Sequence, residues 1–146
     1  MVIGDEGFDV DPIERCKKSR EQASLVEIPP FVYIIGGRNA TALNLVERYN
    51  YKSKTMESVA NMKNARRDHT ACTVESSIYV IGGRRDIEFW SSVEVLDTSR
   101  LELGWHNYTL RHPSSFDMLL NMKAVNYPLD GILLFGGKDI KGSYSN

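Results

Sequence analysis

Nowhere in the 146 residues does an apolar run approach the roughly 18 residues that a membrane-spanning helix needs, so a helical span is excluded. Nor does one sign of charge prevail. Eighteen Lys and Arg against nineteen Asp and Glu leave a formal net charge of -1. Nothing therefore draws the whole surface toward nucleic acid or anionic lipid. Cysteine is scarce: Cys16 falls in a polar leader and Cys72 in an apolar stretch, so no mutual disulfide is expected and a reducing, cytoplasmic setting fits. The acidic opening, Met1 to Asp11, lacks the positive-then-apolar layout of a secretory signal. Without export, the triplets Asn39-Ala40-Thr41 and Asn107-Tyr108-Thr109 are read as silent glycosylation matches.

Catalytic signatures are missing too. His69, His106 and His112 are scattered, with no pair at metal-ligand spacing, and His69 reads as a packed residue at a strand start. No Cys-x-x-Cys, His-Glu-x-x-His or Gly-x-Ser-x-Gly occurs. No Gly-Gly runs into Lys-Ser or Lys-Thr at a helix start, so no phosphate-cradling loop is read. No catalytic residue, metal or cofactor is expected.

What is present is a repeated stretch. Ile78-Tyr79-Val80-Ile81-Gly82-Gly83 has a near twin in Val32-Tyr33-Ile34-Ile35-Gly36-Gly37 and a looser copy in Ile132-Leu133-Leu134-Phe135-Gly136-Gly137. The second glycines lie 46 residues apart (83 − 37) and then 54 apart (137 − 83). A strand motif recurring at roughly 40–50 residues marks a blade-repeat architecture. The runs are apolar on both faces, which predicts strands buried between other layers. Paired glycines permit positive φ and close backbone approach where each run stops.

The rest of each unit follows. In the first, Val46-Glu47-Arg48-Tyr49 alternates as a strand and Met56 to Val59 forms an outer one. In the second, His69 to Val74, Ile78 to Gly82, Val93 to Asp97 and a strand from Trp105 through Leu110 are expected. A third begins with Met122 to Tyr127, turns at Pro128 to Gly131 and enters Ile132 to Phe135. Residues 1–30 read as a leader, with Asp11-Pro12 opening a short helix and Leu25 to Ile28 forming a short strand before Pro29-Pro30.

These residues resemble the kelch repeat, which joins an apolar run and a Gly-Gly to a variable loop, then a Tyr and a Trp. Tyr49 and Trp105 stand in such positions, with Met56 in the first Trp slot and Leu96 in the second Tyr slot. The resemblance covers residues 31–146, in units of about 31–61, 62–111 and 112–146. It implies an all-β fold: a partial kelch-type β-propeller of about two and a half four-stranded blades behind a short leader. Propellers close with 4–8 blades, and terminal repeats need capping. The expectation is a piece of a longer product, or open ends covered by another chain.

Up-and-down strands put the Gly-Gly loops and the inter-blade connections on one rim. That rim gathers Arg38, Arg84, Arg85, Lys138 and Lys141 from the loops, and Lys63, Arg66 and Arg67 from the first connection. Asp68, Asp86, Glu88 and Asp139 dilute the field. Converging guanidiniums suit carboxylates, so the expected partner is a protein carrying an acidic peptide or patch. Phe89 and Trp90 are candidate aromatic anchors. Against this stands the bland reading, in which Arg66 bridges blades and the other cations are merely solvated. The resemblance implies a non-catalytic protein-interaction scaffold. Substrate recognition in a cullin-type ubiquitin ligase follows if a BTB domain lies in a longer chain. The alternatives are a fragment of a kelch-like copper oxidase or other propeller enzyme, and a truncated non-functional product.

Overall fold

The glycine-stopped runs form the second strands of successive antiparallel sheets. The structure is a computed structural model that describes residues 2–4, 7–9, 16, 18–109, 120–127 and 131–138. Strands β1 (Val2–Gly4) and β2 (Gly7–Asp9) make a hairpin of their own. Then come β3 (Ser24–Ile28) and β4 (Phe31–Ile35). The minute ribbon β5 (Arg38–Asn39) and β6 (Thr41–Ala42) follows inside the first Gly-Gly loop, and then β7 (Val46–Asn50) and β8 (Thr55–Ser58). The first blade is the sheet β3-β4-β7-β8.

The second blade repeats this plan. It holds β9 (Thr70–Val74), β10 (Ser77–Ile81), the loop ribbon β11 (Arg84–Arg85) and β12 (Glu88–Phe89), β13 (Ser92–Asp97) and β14 (Trp105–Thr109), with sheet order β14-β13-β10-β9. A 3-10 turn at Leu101–Leu103 precedes β14. The third unit is a two-stranded sheet of β15 (Lys123–Tyr127) and β16 (Gly131–Phe135). Among the described residues the fold is thus all-β, with two complete four-stranded blades and the first half of a third. The first blade begins at Ser24, inside the stretch read as leader. The helix expected at Asp11-Pro12, together with His112, Asp139 and Lys141, lies outside the described residues.

Alternation along the strands decides what each blade buries. Val26, Tyr33, Ile35 and Val46 point from the first blade toward the second, where Ile78, Val80, Leu96 and Trp105 meet them. Both residues that depart from the repeat's aromatic pattern keep an apolar filler: Leu96 is fully buried and Met56 half-buried. On the second blade's other face, Ile81 and Val93 pack with Met122, flanked by Tyr79, Val95, Ile132 and Leu134. Tyr49 is half-buried beside Met56 across the β7–β8 ladder. The Trp105 indole N–H donates to the Ala60 carbonyl (2.7 Å), pinning the connection between the first and second blades.

Gly83 shows why the run ends in glycines. Its φ is +84°, and a Cβ there would lie 2.7 Å from the Arg67 carbonyl oxygen and 2.7 Å from His69 Cβ. The first clash is with backbone, which cannot swing aside. Gly83→Ala is expected to cost about 2–4 kcal/mol, from left-handed strain plus overpacking. Urea denaturation checks this, and a loss below about 1 kcal/mol would contradict the account.

Candidate functional site: the loop rim

Backbone bridges fasten the Gly-Gly loops to the connections that lead into each blade. Arg38 pairs with Glu21, Leu43 with Arg66, Arg67 with Arg84, and Lys138 with Leu120. The loops and connections therefore do lie on one edge of the blades, side by side. Arg67 and Arg84 exchange both bonds, N to O 3.0 and 2.9 Å. In an antiparallel pair such neighbours bring their side chains close.

The cations on this rim differ in what they are free to do. Arg84 donates from Nε to a carboxylate oxygen of the buried Asp68 (2.8 Å). Arg38, half-buried, lies 3.5 Å from the exposed Glu21. Arg85 is exposed and Arg67 half-buried, and neither side chain has an ionic partner among the described residues. Lys63, on the first connection, is exposed, and Lys138 is held on the rim by its bridge to Leu120. The tip between β11 and β12 lifts Ile87 into solvent, 88% exposed, flanked by Asp86 and Glu88. Phe89 is half-buried opposite Arg84.

Two residues gathered with the rim belong to the interior. Arg66 is completely buried. Its NH1 donates to the carbonyls of Gly82 (2.8 Å) and Ser92 (2.9 Å), and NH2 donates to Ser92 Oγ (2.8 Å). Nε and NH2 both reach Glu94 Oε1, at 3.2 and 3.1 Å. Glu94, equally buried, also accepts from the backbone N–H of Lys63 (2.6 Å) and Asn64 (3.0 Å). Burial lowers the Arg66 pKa, and the Glu94 carboxylate opposes that. The guanidinium is a clamp from the connection to the second blade and has no group left for a partner. Trp90 folds back over it: the indole N–H donates to the Ala65 carbonyl (3.0 Å), and the ring centroid lies 5.8 Å from the Arg66 guanidinium carbon.

The first blade carries the same clamp, built from a residue of the leader. Arg20 donates to the carbonyls of Gly36 (3.4 Å) and Leu45 (3.0 Å) and pairs with buried Glu47. Sequence reading missed Arg20, Glu47 and Glu94 as buried groups. The available signal was a Val-Glu near the start of each third strand, Val46-Glu47 and Val93-Glu94, with an Arg 16 residues before the first glycine of each pair (36 − 20 and 82 − 66).

His69 is packed between the blades. Nε2 bonds to the Ile35 carbonyl (3.1 Å), which fixes the proton there, and Nδ1 is buried without a hydrogen-bond partner. Burial, aided by the Arg66 charge, drops its pKa to about 4. Among the described residues no group of three His, Cys, Asp or Glu could hold a metal. The first strands of the three units border a cleft of about 460 Å³ lined by Ser24, Thr70 and Lys123 with Gln22, Asp68 and Asn121.

The kelch motif family matches residues 20–63 and 65–101, starting at the Arg20 clamp. An F-box/kelch-repeat protein of Arabidopsis thaliana is 28% identical over 136 residues, covering 82% of this chain and 36% of its own. A second, putative F-box/kelch-repeat protein of that plant is 32% identical over 80 residues, 53% of this chain and 22% of its own. Kelch repeat and BTB domain-containing protein 2 of Horsepox virus is 30% identical over 86 residues, 58% of this chain and 16% of its own. The chain thus spans about a third or less of the length of these relatives. With its motif matches running over more than half of its residues and its blades built around the Gly-Gly turns, the chain belongs to the kelch-motif family.

Proposed function

We propose that this chain is a non-catalytic protein-binding module that grips an acidic peptide or acidic surface patch with its loop rim. The observation that supports this most is the bridge between Arg67 and Arg84. It sets a free guanidinium beside a paired one, with Arg85 next in sequence and exposed. Asp68 neutralises Arg84, so capture falls chiefly to Arg67, Arg85 and Lys63, with Arg38 and Lys138 at the margin. Guanidiniums held by a backbone ladder lose little freedom when they engage carboxylates in a fork. Attached to an F-box or BTB partner domain, as in proteins of the relatives' names, the module would choose substrates for a cullin-type ubiquitin ligase in the cytoplasm.

The test is retention of acidic peptides against the same sequences with Gln for Glu. The chain should retain the Glu forms and release them as salt rises. The double variant Arg67→Glu, Arg85→Glu should weaken retention by about tenfold, equal to about 1.4 kcal/mol. Equal retention of Gln and Glu forms, or by the variant, would refute the rim.

A further inference from the structure

The cleft at the head of the three first strands has a repeating wall. Each strand is entered through a residue in the left-handed region, two positions before the strand begins. Gln22 (φ +57°) precedes Ser24, Asp68 (φ +56°) precedes Thr70, and Asn121 (φ +56°) precedes Lys123. The same backbone kink thus sets an amide or a carboxyl in the wall three times. Hydrogen bonds join the walls from unit to unit. Ser24 Oγ donates to the His69 carbonyl (3.2 Å), the Asn121 N–H to the Asp68 carbonyl (3.1 Å), and the Ala124 N–H to Thr70 Oγ1 (3.0 Å). A cleft framed in this way needs little ordering when a ligand enters.

The third wall breaks the pattern. The first strand opens with a hydroxyl in the first two units and with Lys123 in the third. Lys123 is exposed, and its ammonium has no hydrogen bond or ion pair among the described residues. Thr70 is 7% exposed. Its oxygen accepts from Ala124, and its O–H has no acceptor among the described residues. The neighbouring charges are already paired: Arg84 Nε holds Asp68 (2.8 Å), and Arg66 holds Glu94. Burial keeps His69 uncharged down to about pH 4. One uncompensated positive charge remains in the cleft, and the Gln22 and Asn121 amides and the Thr70 hydroxyl can donate around it.

We propose that this cleft is a carboxylate-binding socket, with Lys123 as counter-ion and the Gln22, Asn121 and Thr70 donors fixing the two oxygens. Its volume of about 460 Å³ lies in the range of small-ligand pockets. That is room for a free dicarboxylic acid, or for a glutamate side chain with a short piece of its own backbone. A phosphate monoester carries about −1.5 to −2 at neutral pH. It would bring charge that no second cation meets, and it would face Asp68 in the same wall. The socket uses neither Arg67, Arg85 nor Lys63, so it stands or falls apart from the rim.

Titration of the isotope-labelled 146-residue chain, read by backbone amide shifts in nuclear magnetic resonance, tests this. The probes are glutarate, the peptide Gly-Ser-Glu-Ser-Gly blocked at both ends, and inorganic phosphate. Glutarate or the peptide should shift the Asn121 and Ala124 amides to saturation. Shifts with glutarate alone identify a free small acid as the source of the carboxylate, and shifts with the peptide identify a glutamate of a protein. Lys123→Gln, at an exposed position, should weaken the binding by about tenfold. Lys123→Arg, which keeps the charge, should retain most of it. Phosphate should bind more weakly than glutarate. Shifts at Arg67 and Arg85 with none at Asn121 or Ala124 would leave the rim standing and overturn the socket. Silence with both carboxylate probes, equal binding by Lys123→Gln, or phosphate binding more tightly than glutarate would overturn it too.

Discussion

Replacing Glu94 by Ala is expected to cost about 3–5 kcal/mol, enough to unfold much of the chain. The reason lies in what remains. Arg66 stays completely buried with its charge uncompensated, and the N–H groups of Lys63 and Asn64 lose their acceptor. Removing one member of a buried pair strands the other, which is where the large penalty arises. Arg66→Met should cost a comparable amount, because the Gly82 and Ser92 carbonyls lose their donor. The double variant should fall short of the sum, since no charge is then stranded, yet stay below the parent, since the backbone groups remain unsatisfied. Urea denaturation of the parent, both singles and the double gives the cycle. Strict additivity, or a Glu94→Ala loss below about 1 kcal/mol, would refute the clamp.

Acidification from pH 6.5 to 4 should remove roughly 3 kcal/mol of stability through His69 alone. The folded-state pKa is depressed, to about 4 against 6.5 unfolded. Between those values the unfolded chain binds a proton that the folded chain refuses. Stability from this group is therefore complete above pH 6.5 and drains away as pH falls toward 4. Burial is the main cause and the Arg66 charge adds to it, while the Ile35 carbonyl and Asp68 pull the other way. His69→Gln, which keeps a donor for the Ile35 carbonyl, should flatten the slope in that window. Denaturant midpoints at half-unit pH steps decide it. Identical slopes for parent and variant would mean that His69 does not titrate as placed.

The strands were legible because their pattern is local. Val32 to Ile35, Ile78 to Ile81 and Ile132 to Phe135 each announce themselves by composition and by the glycines that stop them, and Trp105 by its distance from them. The shared rim followed from counting strand reversals. For Arg66 a bridge between blades was one of two readings left open, but its acid was not legible, and the Arg20 clamp was not legible at all. Arg20 lies in a polar stretch that looks solvated, and the burial of both depends on acids 27 and 28 residues away, Glu47 and Glu94. The fate of Trp90 was open for the same reason, since its indole partner is the Ala65 carbonyl on another segment. Reading residues 1–30 as a leader put β3 outside the blade, because Ser24 to Ile28 has no Gly-Gly to mark it. Its place is set by the ladder with β4, which sequence alone does not display.

The Gly-Gly loops are stapled at their bases and open at their tips. In the second, Trp90 N–H bonds to the Gly83 carbonyl (2.9 Å). In the first, Leu43 N–H bonds to that of Gly37 (2.8 Å). Beyond the bridges of Arg38 and Arg84, the residues between those staples hang outside the ladders that hold the blades. Doubling a flexible loop costs only about 0.6 kcal/mol in closure, so new sequence spliced beside Ile87 would leave the sheet beneath undisturbed. On the proposed binding role, such a scaffold would trade one client for another by rewriting a handful of codons, and a designer can graft a recognition segment there on the same terms.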